Sequence, residues 1–242
     1  VLCSSYKVNT AFANRVNALI KGIAESGQDV EAYFISDKPV NIKFKGLDNI
    51  YVSNLSSSSK YPRLKSLISL YEVFRFARKL PDGSKLLTVG CDFYLPAILN
   101  KKISIYHERT EHPDVSRSYP PYWHGLYLRS LKRLTGMFVI STSLKKYFKG
   151  LGINNISIIN MIVDASRFEN VTRNTGKDKY IAFCGNGSNN KDGVDILIKA
   201  FKQIADKYPD LSLKIIGPAP KDDAKESNKT LVNDLKLGDR VV

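Results

Sequence analysis

The sequence predicts an α/β protein made of two successive doubly wound units, the second one incomplete. Three observations carry this. Apolar runs of strand length alternate with stretches of helical spacing from the first residues onward. A polar segment, 170–179, then interrupts the alternation with Asn174-Thr-Gly176 inside it. After it the alternation restarts. The expected domains are therefore 1–170 and 171–242.

The opening unit justifies a parallel sheet. Phe12, Val16, Leu19, Ile20 and Ile23 recur at helical spacing, with Gly27 where a C-terminal cap belongs. Val30–Ile35 follows as a buried strand, so 1–35 reads strand, helix, strand. A short strand at 50–53 precedes the Ser56–Ser59 loop, and Leu64, Leu67, Ile68, Tyr71 and Phe74 mark the next helix. Strands are expected at 85–89, 103–107, 137–141 and 156–159, with helices near 94–99, 122–134 and 144–149. Past the linker the expected order is strand 179–184, helix 192–207, strand 211–216 and helix 223–236. Val194, Leu197, Ile198, Phe201 and Ile204 give the first of these helices one apolar face. The chain opens inside an apolar run and closes at Arg240-Val-Val242 as a strand begins, so both ends read as cut.

Composition narrows the class. Among 242 residues 43% are hydrophobic and 25% charged, an ordinary balance for a globular chain. No apolar run approaches the ~18 residues of a membrane span, and no signal peptide is visible. Cys3, Cys91 and Cys184 are odd in number and far apart, which argues against a disulfide framework or zinc cluster and for a cytoplasmic setting. The net charge is +14. Residues 1–170 hold 24 Lys and Arg against 13 Asp and Glu, so +11 of it lies there. Such a basic domain calls for an anionic partner or is simply a solvated basic face. An anionic membrane surface, at the inner face, is one candidate partner. Nucleic acid is disfavoured, because the aromatics do not interleave with the basic runs as an RNA-binding signature requires.

In doubly wound sheets ligands bind outside the carboxyl ends of the strands, which directs attention to the loops at 4–11, 90–94, 107–120, 141–143, 185–193 and 217–222. The richest is Cys184-Gly-Asn-Gly-Ser-Asn-Asn-Lys-Asp-Gly193, between an apolar run and an amphipathic one. It fits neither G-x-G-x-x-G, because Asn190 replaces the third glycine, nor the Walker pattern. On its own it is an anion cradle or a plain turn. The densest polar cluster is His107-Glu-Arg-Thr-Glu-His-Pro113; it misses H-E-x-x-H by one residue, and a proline follows. A loop of that composition suits a polyhydroxylated or anionic ligand, or else a salt-bridged surface turn. Asp92 and the Asn9-Thr10 pair stand before helices and read as caps or as ligand contacts. Gly217 leaves its strand with no side chain to hold a ligand off.

Taken in order, five stretches resemble the retaining glycosyltransferases of family 4 (glycosyl transferases group 1, GT-B fold). They are 16–35 with Gly27-Gln-Asp-Val30, the histidine loop 105–113, Val139-Ile-Ser-Thr-Ser-Leu144, Ile158–Phe168 with Val163-Asp164, and 183–201 with 213–217 and 235–241. The resemblance implies transfer of a hexosyl group from a nucleotide diphosphate sugar to a glycan or lipid-linked acceptor. It implies retention, a place in cell-surface polysaccharide synthesis, and no cofactor or required metal beyond the donor co-substrate. Lys191 then matches the lysine on the donor diphosphate and His107 the histidine near the transferred sugar. Asn9, Thr10, Gly185, Asn186 and Gly217 fall on the donor side, and Glu108, Arg109 and Asp92 on the acceptor side. Departures are plain: the first loop lacks paired glycines, Asn160 replaces the interdomain proline, and Asn186 stands near the usual basic residue. The family's E-x(7)-E pair is absent from the 242 residues, which implies incomplete donor binding and the alternative of a non-catalytic sugar-binding fragment.

Overall fold

The computed structural model describes residues 1–4, 6–7, 10–36, 38–56, 62–90, 97–112, 124–172, 176, 178–185, 187–217 and 224–242; the side chains at 56, 62–66, 97, 124, 167 and 191 fall outside the description. The chain divides into two units, Val1–Glu169 and Asn170–Val242.

The larger unit holds one seven-stranded sheet. Its strands are β1 (Leu2–Ser4), β2 (Val30–Ser36), β3 (Ile50–Ser56), β4 (Lys85–Val89), β5 (Ser104–Arg109), β6 (Gly136–Val139) and β7 (Ile156–Ile158). They lie in the order β3-β2-β1-β4-β5-β6-β7, and every pairing is parallel. The order reverses between β1 and β4, where Cys3 lies beside Val89. Helices cover both faces, which is why the central strands read as nearly continuous apolar runs. Helix α1 (Ala11–Glu25) packs Val16, Leu19 and Ile20 against Phe34 and Val89 on one face. On the other, α2 (Pro62–Lys79) presents Val73, Phe76 and Ala77 to Leu2, Leu86 and Ile105. There too α3 (His124–Leu131) and α4 (Thr142–Gly150) enclose Met137 and Val139.

The smaller unit pairs β8 (Lys179–Cys184) in parallel with β9 (Leu211–Ile216). Its core gathers Val194, Ile198 and Phe201 of α6 (Val194–Ala205) with Leu213 and Leu237, and α7 (Ala224–Asp234) adds Leu231 and Val232. Arg240 closes the end of α6, donating from Nη1 to the Ala205 carbonyl at 2.9 Å and from Nη2 to that of Tyr208 at 2.6 Å. Val242 donates to the Leu213 carbonyl at 2.9 Å, so the last residues run beside β9 as the sequence suggests.

Three expected helices differ. The helix expected at 122–134 ends at Leu131 as α3, because Lys132, Arg133 and Leu134 bond three residues back and tighten the last turn. That expected at 192–207 is instead a single turn, α5 (Asn189–Asp192), a break, and α6. Gly193 takes the left-handed conformation at φ 65° and Asn189 Oδ1 accepts from the Asp195 amide at 3.1 Å across the break. Of 94–99, only the 3-10 turn Ala97–Leu99 is described.

Candidate nucleotide-sugar site

At the carboxyl ends of the larger sheet, the strand order reverses between β1 and β4, and α1 follows β1. Thr10 caps that helix: its Oγ1 accepts from the Ala13 amide at 3.1 Å and donates to the Lys7 carbonyl at 2.8 Å. Ser4 Oγ donates to the Gly90 carbonyl at 2.9 Å, tying the two strand ends together. The neighbouring expectations at Asn9 and Asp92 lie outside the described residues.

Residues His107, Glu108 and Arg109 of β5 alternate faces, and all three are buried. The His107 ring is fully enclosed beside Thr88, its register partner, with Nδ1 2.8 Å from Thr88 Oγ1. Burial pushes its pKa down to about 3, helped by the Arg109 charge, so the imidazole stays neutral. Glu108 faces α1 and accepts from Arg15 Nε at 2.7 Å, with Nη2 at 2.6 Å. Burial pushes this carboxyl up while Arg15 and Arg109 pull it back. Arg15 also donates to the carbonyls of Asn160 at 3.1 Å and Ile159 at 3.4 Å, so one guanidinium joins α1, β5 and the segment after β7. Arg109 lies 5.7 Å from the Tyr127 ring centre and donates from Nε to the Glu111 carbonyl at 3.2 Å. Glu108 and Arg109 thus face inward partners, and a sugar reaching His107 would have to uncover it.

In the smaller unit the turns after β8 and β9 meet backbone to backbone. The Gly185 amide donates to the Ile216 carbonyl at 3.0 Å. A Cβ added to Gly217 would sit 1.7 Å from the Gly185 carbonyl oxygen. These glycines border a cavity of about 470 Å³ whose other wall includes Lys225, Asn228 and Lys229 of α7. Oδ1 of Asn228 is buried with no hydrogen-bond partner among the described residues. Lys225, Asn228 and Lys229 are one helical turn apart, so a K-x-x-N-K pattern after a glycine turn was the available sequence signal. That pattern is silent on its own, because no local signal in the sequence sets α7 over the Gly185 turn. Lys191 lies in α5 just beyond; Asn186 lies outside the described residues.

No protein-family model matches the sequence, and no curated protein does. Solved structures do match its fold. An E. coli trehalose-6-phosphate structure bound with UDP-2-fluoro glucose superposes with a TM-score of 0.69 at 11% identity, over 99% of this chain and 72% of the other. The lipopolysaccharide outer core galactosyltransferase WaaB, in its apo form, gives 0.64 at 15%, over 100% and 66%. The fold is that of the GT-B proteins. It is not confined to transferases: the UDP-GlcNAc 2-epimerase of Methanocaldococcus jannaschii gives 0.60 at 19%, over 99% and 70%. An S. aureus TarM structure it also matches is spanned over only 36% of its own length, with a TM-score of 0.55 at 14% identity.

Proposed function

We propose that this chain carries the sugar-donor and acceptor units of a glycosyltransferase. It would move a hexosyl group, with retention, from a nucleotide diphosphate sugar to a glycan or lipid-linked acceptor. Its place would be cell-surface polysaccharide synthesis, as a cytoplasmic protein at the inner membrane face. One observation carries the reading most: the joined Gly185 and Gly217 turns at the mouths of two parallel strands, bordering a cavity that Lys225, Asn228 and Lys229 also line.

The chemistry needs negative charge stabilised on the leaving diphosphate. A helix dipole contributes ~0.3–1 kcal/mol, too little alone. Fixed cations supply more, and in this reading Lys191, Lys225 and Lys229 bear that role while the glycines give clearance. Asn228 Oδ1 suits a ribose or sugar hydroxyl, the donor group it lacks. Neutral and enclosed, His107 fits as a positioning residue that ties β5 to β4, with the sugar coming against the strand end it holds.

Calorimetric titration with UDP- and GDP-sugars tests this, with an oligonucleotide as control. Lys191→Ala should leave the protein folded and weaken donor binding; in transfer assays it should cost ~10²–10³ in rate. Unchanged donor affinity in Lys191→Ala would remove the lysine from the site. Donor binding without turnover in the parent chain would favour the binding-fragment reading.

A further inference from the structure

The inner face of α2 is accounted for by the core; its outer face is not. Leu67 and Tyr71, one turn apart, are 62% and 59% exposed. Phe74, Arg75 and Arg78 continue the same stripe at helical spacing. The guanidinium of Arg75 lies 5.8 Å from the centre of the Tyr71 ring, and that of Arg78 lies 5.5 Å from the Phe74 ring. Beside the stripe runs the turn Ala97–Leu99, where Leu99 is 63% exposed. Between helix and turn lies a cavity of about 460 Å³ lined by Phe74, Arg78, Leu99 and Lys102. The acidic residues here, Glu72 and Asp82, are each paired to a base, at 3.3 Å to Arg75 and 3.1 Å to Lys102. Four bases, Arg75, Arg78, Lys79 and Lys102, stand against these two acids, so this end of α2 is net positive.

We propose that this face of α2, with the adjoining turn, docks the protein onto an anionic lipid bilayer. The inference rests on the membrane-face part of the proposed function and names the element that would make the contact. Among the described residues no helix is long and apolar enough to cross a membrane, so contact would be interfacial. Charge and shape agree on the occupant. Leucines and rings that stand out of a basic helix gain by entering the headgroup and acyl boundary, while guanidinium groups held over those rings meet lipid phosphates. Nucleic acid would use the cations but leave Leu67 and Leu99 in water.

Co-sedimentation with vesicles of neutral phosphatidylcholine, and of phosphatidylcholine mixed with phosphatidylglycerol, decides it. The protein should pellet with the mixed vesicles only, and less so at high salt. Each basic side chain near an anionic surface strengthens binding about fivefold, so Arg75→Glu with Arg78→Glu should weaken it by roughly 25-fold or more. Leu67→Ser with Tyr71→Ser should weaken it severalfold while leaving the salt dependence intact. Lys43→Glu with Lys45→Glu makes the same charge change beside Ile42 and Phe44, on the α1 face, and should retain most binding. Binding that both α2 pairs leave unchanged overturns this surface while keeping a membrane role. No preference for anionic vesicles in the parent protein overturns both. A tighter, salt-sensitive association with an oligonucleotide, lost in the Arg75/Arg78 variant, would overturn the lipid assignment in favour of nucleic acid. Donor titration of the same variants reads the sugar site separately and should not change.

Discussion

Arg15 and Glu108 are both almost fully shielded from water, and each is the other's main compensation. Deleting one partner of such a pair strands a buried charge at a cost of ~3–5 kcal/mol. Glu108→Ala should therefore lower unfolding stability in denaturant titration by about that amount, and Arg15→Ala somewhat more because two carbonyls also lose their donor. A loss under 1 kcal/mol would show the site relaxing or admitting water. His107 gives a signature of a different kind. Its folded pKa of about 3 lies below the ordinary 6.5, so the unfolded chain binds the extra proton. The fold keeps its full stability above 6.5 and loses it as pH falls from there towards 3. Glu108, raised in the fold, acts in the opposite sense and is gained towards acid. The difference between parent and His107→Asn isolates the histidine. It should shrink by about 2 kcal/mol between pH 7 and pH 5, at ~1.4 kcal/mol per unit. A pH-independent difference would mean the ring already has water access.

At the level of elements, the joined turns after β8 and β9 depend on absent side chains. Gly217→Ala would drive a methyl into the Gly185 carbonyl, backbone against backbone, with no flexible side chain to yield. It should unfold or distort the smaller unit, lowering its melting transition and abolishing donor binding, whereas Gly125→Ala, with nothing near its added methyl, should do neither. How much of this could be read from sequence follows from periodicity. The strand and helix order was legible because apolar spacing is a local signal, and Pro209-Asp210 and Gly27 punctuate it. The break at Gly193 was not, since an isolated glycine inside a helical pattern is tolerated and does not by itself mark an end. At the site, His107-Glu-Arg109 stood out in composition, yet strand alternation turns His107 and Glu108 to opposite faces, each met by a partner distant in sequence. Arg15 is 93 residues from Glu108, and no local pattern pairs them.

Across the whole molecule, the two units carry separate cores and unequal charge. The clusters around α1, α2 and α3 belong to Val1–Glu169, and the one around α6 belongs to Asn170–Val242. Separate cores permit separate unfolding, so a ligand's effect can be assigned to one unit. If the cavity bordered by Gly185 and Gly217 holds the donor, a nucleotide sugar at about 100 times its Kd should stabilise the smaller unit by ~2.7 kcal/mol. Scanning calorimetry would then show the smaller unit's transition moving up, with the larger held in place. The smaller unit is also the less charged, at +3 against +11 for residues 1–170, so added salt should perturb its transition less. Gly217→Ala supplies the internal marker, because the transition it lowers is the smaller unit's. A donor-induced shift in the other transition would move the nucleotide to the larger unit, where the strand order reverses between β1 and β4, and leave Lys191, Lys225 and Lys229 without a diphosphate to hold.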